Sequence, residues 1–448
     1  MFVITFRRMN MNLDFCAEYT KKLMPQEKAV SLIPKRGNLA LGLAANGPPA
    51  LCAALAERAR SGENISLNVH YQVAAAPVAP IFDIELMDRL HLHSNFLSDL
   101  DRKLMKEAGN LSIIDHTPCY LWQLPRIYTE YIHMDVLMIT VSPMDRHGYF
   151  SLGTSNDYSS SVARDCDMLL VEVNENMPRV FGDNQIHVSK VTAIVENHQP
   201  INELPDRPVT QLDEVIGRRI AEMVPDRATL QLGIGGIPNA CAKFMTDHKD
   251  LGIHTEMLTS GIVGLYESGA LTNKYKEIHR HKTVFTLCWG NKRLYEFIHD
   301  NPSVESYPAS HINDPYIIAM NDRAVSINSA VEMDLFGQVN SEFVGGHEFS
   351  GVGGQRDFMS GAFRSKGGLA FLAFYSTAKN GTISKIVPRI DGILSETRME
   401  PMWVVTEHGI CNLKGKSISE RALAMIDLAD PRFKDDLLRE AKRMNLVR

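Results

Sequence analysis

Two glycine-rich segments are the parts of this sequence most suited to chemistry. The segment LGIGGIP spans residues 232–238, and SGVGGQ spans residues 350–355. Dense glycine lets the main chain approach a ligand closely and turn several N–H groups towards one negative oxygen. Taken singly, the first segment could also be a tight strand-to-helix turn and the second a flexible hairpin. Together they favour a site that uses backbone donors.

Neither segment matches a common nucleotide-binding pattern. Pro238 occupies the third glycine position of GxGxxG, and no Gly-Lys-Ser/Thr ending is present. A Gly-x-Ser-x-Gly elbow is also absent from the sequence, which argues against a serine hydrolase.

A carboxylate lies between the two glycine segments. The alternating stretch LGIHTEM, residues 251–257, predicts a strand on which His254 and Glu256 share a face. Taken alone, Glu256 is one of 53 acidic residues and a histidine at position 254 is more often a hydrogen-bonded core residue than a catalyst. The HxH pairs at 91/93 and 279/281 show no third ligand at a telling spacing, so we predict surface residues and no metal site.

Composition excludes several classes of protein. The chain has 448 residues with 44% hydrophobic and 22% charged side chains, enough apolar surface for full cores. Its net charge of −6 disfavours nucleic acid as the main partner. Seven scattered cysteines without a CxxC pair argue against a disulfide framework and a zinc site, and predict a reducing cytoplasm. We see no membrane span or signal peptide, and Met1, Met9 and Met11 are alternative start positions.

The elements that must position these residues alternate between strands and helices. Buried strands are predicted at 136–141, 168–173 and 191–195, and further strands at 229–232, 283–289, 324–327, 369–375 and 402–406. A helix over 211–223 places Leu212, Val215, Ile216, Ile220 and Met223 on one face. This alternation is typical of βαβ units and mainly parallel sheets. The polar stretch NHQPINELPDRP, residues 197–208, divides the chain into α/β domains at 1–205 and 206–448.

Six spaced motifs in the second half resemble one protein family. They are LQLGIGGIPNA (230–240), LGIHTEM (251–257), HINDP (311–315), SGVGGQRDF (350–358), STAKNGTISKIVP (376–388) and VVTEHGI (404–410). The first half adds VSPMDRHGYFSLGTSNDY (141–158) and EVNENMPRVFGD (172–183). The chain is similar to the acetyl-CoA hydrolase/transferase family of class I CoA-transferases, within it to the 4-hydroxybutyrate CoA-transferase branch. The resemblance implies two tandem open α/β domains of the NagB/RpiA/CoA-transferase type, with the active site at their interface.

The resemblance implies covalent catalysis by a glutamate with coenzyme A as substrate and no permanently bound cofactor. By motif match the nucleophile is Glu256, Asn313 is an amide beside the reacting carboxylate, and Glu407 is a second carboxylate that orients the site. Because a second unpaired carboxylate would raise the pKa of Glu256, a bridging donor should lie between the two acids, and Asn313 is the candidate.

Further positions follow from the same motifs. Two tetrahedral oxyanions need backbone donors, and the sequence leaves open which glycine segment serves which. The candidate donors are Ile234, Gly235, Gly353 and Gly354. The candidate CoA contacts are Lys379, whose cation suits a phosphate, with Gly351 and Gln355.

The implied function is CoA transfer between an acyl-CoA and a short carboxylate such as acetate, butyrate or 4-hydroxybutyrate. An acyl-CoA hydrolase on the same scaffold is the close alternative, and a non-catalytic CoA-binding protein a further one. The family also suggests a homo-oligomer, a dimer or higher. Two departures bear on acyl specificity: Thr259-Ser260-Gly261 stands where the branch often has Ser-Asp-Gly, and Arg356 with His347-Glu348 borders the second glycine segment.

Overall fold

The structure is a computed structural model that describes residues 13–448. The alternative starts Met1, Met9 and Met11 lie outside the described residues. Helices and strands alternate along the chain, as the periodicity of the apolar residues predicts, and the fold is mixed α/β with mainly parallel sheets.

Helices and strands follow one another along most of the described chain. The helices are α1 (Leu13–Lys22), α2 (Gln26–Ser31), α3 (Pro49–Arg60), α4 (Asp99–Ala108), α5 (Leu124–Arg126), α6 (Ser159–Asp165), α7 (Gln211–Ala221), α8 (Gly236–Phe244), α9 (Gly261–Glu267), α10 (Lys292–Ile298), α11 (Ala309–Ile312), α12 (Pro315–Ile318), α13 (Gln355–Arg364), α14 (Ile418–Leu428) and α15 (Pro431–Arg443). The strands are β1 (Arg36–Leu41), β2 (Ser66–Tyr71), β3 (Leu90–Ser94), β4 (Ile114–His116), β5 (Val136–Val141), β6 (Tyr149–Ser151), β7 (Met168–Val173), β8 (Phe181–Gly182), β9 (Gln185–His187), β10 (Ala193–Glu196), β11 (Thr229–Leu232), β12 (Gly252–Leu258), β13 (Thr283–Cys288), β14 (Val304–Ser306), β15 (Ala324–Asn328), β16 (Glu332–Asp334), β17 (Val339–Asn340), β18 (Phe343–Val344), β19 (His347–Glu348), β20 (Leu369–Ala373), β21 (Thr377–Ala378), β22 (Ile383–Ser384), β23 (Ile386–Val387), β24 (Trp403–Thr406) and β25 (Gly409–Asn412). Within the described part of the chain, no helix has the length and apolar character needed to cross a membrane.

The chain forms two compact units. The first contains the residues up to Thr117 together with Gln123–Glu203 and Tyr295–Pro308. The second contains Pro118–Trp122, Leu204–Leu294 and Ala309–Arg448. The change of unit between Glu203 and Leu204 falls inside the polar stretch at 197–208, where the chain carries no helix or strand.

The first unit is built on a parallel sheet in the order β10-β7-β5-β1-β2-β3-β4. All neighbouring strands in it are parallel. Every residue of β5 is buried, and all but Thr140 are apolar, because strands covered on both faces do not alternate in polarity. The strands predicted at 136–141 and 168–173 are confirmed. The strand predicted at 191–195 begins later, at Ala193, because a helical turn at Val188–Lys190 precedes it.

The second unit arranges its main strands in the order β25-β24-β20-β15-β11-β12-β13. Neighbours are parallel except for the antiparallel edge pair β24 and β25. The chain runs outward from β11 through β12 to β13 and then returns to β15 on the other side of β11. In such a sheet the carboxyl ends of the parallel strands share one edge, where ligands usually bind. β12, which carries Glu256, lies inside this sheet between two neighbours.

Helix α7 buries a narrower stripe than its apolar pattern predicts. Ile216 and Ile220 are buried, whereas Leu212 and Val215 are 45% and 36% exposed. The reason is close packing against α8: a Cβ on Gly217 would lie 2.7 Å from the Cβ of Ala240. The contact therefore centres on the small residue, and the neighbouring apolar side chains reach solvent.

Candidate active site

Glu256 lies near the carboxyl end of β12. Strand alternation places His254 and Glu256 on the same face of this strand. His254 is buried, and its Nε2 lies 2.7 Å from the carbonyl oxygen of Ile312. Glu256 contacts the next residue along that segment, Asn313. The shared face is therefore turned towards the α11–α12 junction, and His254 is a hydrogen-bonded core residue.

Asn313 holds the carboxylate of Glu256 by a direct hydrogen bond. Its Nδ2 donates to Glu256 Oε2 at 2.8 Å, and the Asn313 side chain is fully buried. The turn that presents it is fixed locally, because the next residue, Asp314, caps α12 by accepting the Tyr316 N–H at 2.8 Å. Pro315 at the first helical position adds a preset φ angle. The HINDP motif thus forms a rigid platform for one amide.

Gly354 brings the main chain against the same carboxylate. A Cβ on this residue would lie 1.8 Å from Glu256 Oε2 and 2.1 Å from Asn313 Nδ2, so only glycine fits. The Gly354 backbone hydrogen-bonds to Glu256. Gly354 is also the residue that caps the start of α13, where the helix dipole favours negative charge. The second glycine segment therefore approaches Glu256, as the sequence predicts.

Two opposing effects set the pKa of Glu256. Burial raises the pKa, because the charged form loses solvation. The hydrogen bonds from Asn313 and Gly354 act in the opposite direction by stabilising the carboxylate, and burial is the larger effect. The residue as a whole is half-buried, and its carboxylate lies in desolvated surroundings. The arrangement is a desolvated, oriented carboxylate that is suited to act as a nucleophile.

Asp357 is a second acid at this site that was not among the residues predicted from the sequence. Its Oδ2 lies 3.4 Å from Asn313 Nδ2 and accepts the Trp122 N–H at 3.3 Å. Burial and the charge of Glu256 raise its pKa well above the usual range. The sequence did contain evidence for Asp357, because it lies in the motif SGVGGQRDF one helical turn after Gly354.

Glu407 takes part in a different set of contacts from the one expected. Its carboxylate accepts hydrogen bonds from the Ser376 N–H at 2.9 Å and from the Ser376 hydroxyl at 2.7 Å. His408 Nε2 lies 3.6 Å from the same carboxylate. Asn313 does bridge two acids, but the second acid is Asp357. The pairing of Asn313 with Glu407 that we expected from the motifs is therefore replaced by a pairing inside the second glycine motif.

The first glycine segment lines a cleft beside the carboxyl end of β12. Ile234 and Gly235 border it together with Thr259, which follows β12, and Trp289, which follows β13. The cleft encloses about 120 Å³. Gly235 has a φ of +121°, a conformation that favours glycine, and Ile234 is 57% exposed. Ile234 and Gly235 therefore form part of the cleft wall. The residue that directly contacts Glu256 is Gly354.

The candidate CoA contacts lie in two places. Gly351 and Gln355 are buried in the second glycine segment, and Gln355 Nε2 has no hydrogen-bond partner among residues 13–448. Gly353, between them, adopts a φ of +57°. Lys379 is exposed at the turn between β21 and β22.

Arg356 is engaged by acidic and aromatic neighbours. Its Nη2 lies 3.2 Å from Glu400 Oε1, and its Nε lies 3.9 Å from a carboxylate oxygen of Glu396. The guanidinium also lies 4.7 Å from the centre of the Tyr120 ring. Burial raises the pKa of Glu396 to about 9, although Arg356 acts against this. The basic residue that borders the second glycine segment is therefore already paired.

One group of possible metal ligands lies in the first unit. The ligand atoms of His133, Asp135 and Asp167 lie within 4.8 Å of one another. His133 and Asp167 are exposed, and Asp135 accepts the Asn38 N–H at 2.6 Å. Exposed acidic groups of this kind are common without an ion, so the arrangement carries no argument for metal chemistry.

Comparison with known proteins identifies the family. The acetyl-CoA hydrolase/transferase N-terminal domain matches residues 7–204, and the corresponding C-terminal domain matches residues 290–441. The chain is 40% identical over 429 residues to the 4-hydroxybutyrate coenzyme A transferase of Clostridium kluyveri, covering 95% of this chain and 98% of the relative. It is 37% identical over 448 residues to the butyryl-CoA:acetate CoA-transferase of Anaerostipes caccae, covering 97% and 99%.

A solved structure matches over nearly the whole chain. The crystal structure of RipA from Yersinia pestis superposes with a TM-score of 0.94 at 45% sequence identity, covering 97% of this chain and 100% of RipA. The sequence motifs, the parallel α/β architecture and these matches over both halves agree. The chain belongs to the acetyl-CoA hydrolase/transferase family.

Proposed function

We propose that the protein transfers CoA between an acyl-CoA and a short-chain carboxylate through a glutamyl-CoA thioester on Glu256. The observation that carries this proposal is the Glu256 carboxylate held by Asn313 Nδ2 at 2.8 Å and by the Gly354 backbone. Relatives named for 4-hydroxybutyrate and for butyryl-CoA and acetate support acids of this size. CoA is then a substrate, and the scheme needs no permanently bound cofactor.

The first half of the reaction loads CoA onto the enzyme. A Glu256 oxygen attacks the thioester carbon, the carbon–sulfur bond breaks, and CoA leaves as the thiolate. The acyl group is then joined to Glu256 as a mixed anhydride. The thiolate then attacks the glutamyl carbonyl of the anhydride, and the first carboxylate leaves as the carbon–oxygen bond breaks. In the second half an incoming carboxylate reverses both steps and leaves as the new acyl-CoA. Covalent catalysis thus divides one difficult exchange into easier steps.

The contacts of Glu256 support a division of labour between its two oxygens. Oε2 is the oxygen held by Asn313 and lies closest to Gly354. In the part of the chain that the structure describes, no side chain hydrogen-bonds to Oε1. We therefore assign the attack to Oε1 and the glutamyl oxyanion to Oε2, with Gly354 as its donor.

The other predicted site residues are assigned to substrate binding, oxyanion stabilisation and positioning. The N–H groups of Ile234 and Gly235 would serve the oxyanion of the substrate acyl group, since they line the cleft beside β12. Gly353 would serve beside Gly354 as a backbone donor to an oxyanion. Gly351, Gln355 and Lys379 would bind CoA, and Glu407 would orient the Ser376 turn through its two hydrogen bonds.

Trapping of the intermediate tests the nucleophile. The protein is incubated with acyl-CoA, treated with borohydride, digested and analysed by mass spectrometry. Reduction of a glutamyl thioester gives an alcohol, so the peptide that carries Glu256 should show this change only after incubation with acyl-CoA. Glu256→Gln should lose at least about 10³-fold in exchange rate and give no reduced residue.

Glu222→Gln is the matched control, since Glu222 is an exposed glutamate of the same unit. It should exchange and trap like the unchanged protein. A reduced glutamate at another position, or none in an active preparation, contradicts the assignment to Glu256.

Acceptor dependence separates transfer from hydrolysis. Free CoA release and new acyl-CoA are measured with and without acetate, butyrate or 4-hydroxybutyrate. Transfer predicts that turnover requires the acceptor acid, because water must be kept from the thioester. Release of free CoA at the same rate without any acid would instead indicate an acyl-CoA hydrolase. Binding of acyl-CoA with neither trapping nor turnover would indicate a non-catalytic CoA-binding protein.

A further inference from the structure

Asn313 presents its amino group to two carboxyl groups at once. Nδ2 lies 2.8 Å from Glu256 Oε2 and 3.4 Å from Asp357 Oδ2. A primary amide carries two N–H donors on one side and an acceptor oxygen on the other. If the amide rotated by half a turn, its oxygen would face two other oxygens. The two acids together therefore determine which end of Asn313 faces Glu256.

Asp357 is itself held firmly in place. Its side chain is fully buried, and its Oδ2 also accepts the Trp122 N–H at 3.3 Å. Gly354 and Asp357 are three residues apart at the start of α13, so the helix turns both towards the same side. The first turn of α13 thus contacts Glu256 directly through Gly354 and indirectly through Asp357 and Asn313.

Burial of Asp357 beside a second acid, Glu256, is electrostatically unfavourable and requires a compensating interaction. The charge of Glu256 and the loss of solvation both disfavour an ionised Asp357. An apolar residue of similar size would avoid this electrostatic cost. It would also leave the Trp122 N–H and the second Asn313 hydrogen without their present acceptor. An oxygen acceptor at this position is the property that the surroundings require.

We propose that Asp357 is a positioning residue, which accepts the second hydrogen of Asn313 and so keeps the amino end of that amide on Glu256. This inference rests on the proposed role of Glu256 as nucleophile. Asp357 acts through Asn313 and needs no contact with substrate. Without it, Asn313 would sample orientations that repel the carboxylate, and the nucleophile would lose its orientation during each half-reaction.

Single variants give the first test. Asp357→Ala should lower kcat by about 10- to 100-fold, with little change in KM. This decrease is no larger than the one caused by removing an oxyanion donor. Asp357→Asn keeps a side-chain oxygen at the position of Oδ2 and should retain most of the activity. Asp435→Ala, on the exposed face of α15, is the control and should leave kcat unchanged. Thermal unfolding of each variant reports any loss of folding, and Asp357→Asn keeps the test decisive if Asp357→Ala does not fold.

A double-mutant cycle separates positioning from a general structural role. If Asp357 acts through Asn313, then Asp357→Ala should cost nothing further in an Asn313→Ala background. A full additional loss in the double variant would overturn the proposal. So would unchanged kcat in Asp357→Ala, or an Asp357→Asn variant as slow as Asp357→Ala.

The borohydride experiment keeps this inference separate from the proposed function. Trapping on Glu256 in the unchanged protein establishes the nucleophile whatever the Asp357 variants do. If Glu256 is trapped and the cycle is additive, only the role of Asp357 is refuted. If Glu256 is not trapped in an active preparation, the proposed function itself is refuted.

Discussion

At the scale of single residues, the site depends on one carboxylate with two unlike oxygens. Glu256 Oε2 is bound by an amide and lies against a glycine that has no room for a side chain. Hydrogen bonds to one oxygen stabilise the charge without blocking the other. Burial works against the same charge and raises the pKa of Glu256. The balance of these effects determines at which pH the proposed nucleophile carries its charge.

The raised pKa of Glu256 gives a pH prediction. Since only the carboxylate attacks, exchange should rise with pH through the pKa of Glu256, and this acidic limb should lie above the ordinary range of glutamate. Asn313→Ala removes a hydrogen bond that lowers this pKa, so the limb should move to higher pH. The measurement is kcat/KM against pH for both proteins. A limb that moves to lower pH in Asn313→Ala would show that the Asn313 hydrogen bond does not stabilise the charged form of Glu256.

At the scale of elements, the start of α13 contributes two residues to this site, Gly354 and Asp357. The helix places Gly354 at its cap and Asp357 one turn later, and β12 places Glu256 opposite them. Both elements are anchored by burial, since β12 lies between β11 and β13 and α13 packs on β20 and β15. The distance between a helix start and a strand end therefore sets the geometry of the carboxylate.

Gly354→Ala tests this close approach. A Cβ would lie 1.8 Å from Glu256 Oε2, so the helix start or the carboxylate must move. We expect a loss of exchange on the order of 10²–10³, as for removal of one oxyanion donor. The measurement is kcat together with borohydride trapping of Glu256.

Gly264→Ala is the matched control, because a Cβ there meets no atom within 4 Å and Gly264 lies inside α9. This variant should be fully active and slightly more stable, since alanine favours a helix. Normal exchange by Gly354→Ala would mean that the approach of α13 is not needed for catalysis.

At the scale of the whole molecule, residues from distant parts of the second unit form an acidic group around Arg356. Glu396 is 1% exposed, and neither carboxylate oxygen has a hydrogen-bond partner among the described residues. Burial and nearby Glu400, Asp357 and Glu342 raise its pKa to about 9. An acid that stays protonated in the fold but ionises in the unfolded chain makes stability depend on pH.

Glu396→Gln should be more stable than the unchanged protein at alkaline pH. Between its ordinary pKa of 4.5 and the folded value of about 9, the folded chain keeps a proton that the unfolded chain has released. The free energy of unfolding therefore falls as pH rises through this window. Glutamine does not titrate, so Glu396→Gln abolishes this decrease. We expect Tm to rise by a few degrees near pH 8 and to change little near pH 5, since about 1 kcal/mol shifts Tm by roughly 2–4 °C in a domain of 150–250 residues. Glu222→Gln is the exposed control. A difference in Tm between Glu396→Gln and the unchanged protein that does not grow with pH would contradict this prediction.

The sequence by itself determined the class of fold and the family, and it indicates Glu256 as the candidate nucleophile. Strand and helix type follow from local patterns of apolar residues, so β5, β7 and β11 were predictable with their bounds. The motifs around Glu256, Asn313 and the second glycine segment identify the family because their order and spacing persist along the chain. Helix faces were less predictable, as Leu212 and Val215 show, because they depend on which neighbour packs against them.

Only the tertiary structure decided which acid is the partner of Asn313. Glu407 and Asp357 are 94 and 44 residues away from it in sequence, respectively, and both belong to matching motifs. Nothing in residue type distinguishes them, since a carboxylate accepts from an amide in either position. The choice follows from how α13 packs beside β12 and the α11–α12 junction, which brings Asp357 within reach of Asn313 and leaves Glu407 on Ser376. Such long-range distances are set by the packing of whole elements, and local sequence does not encode them.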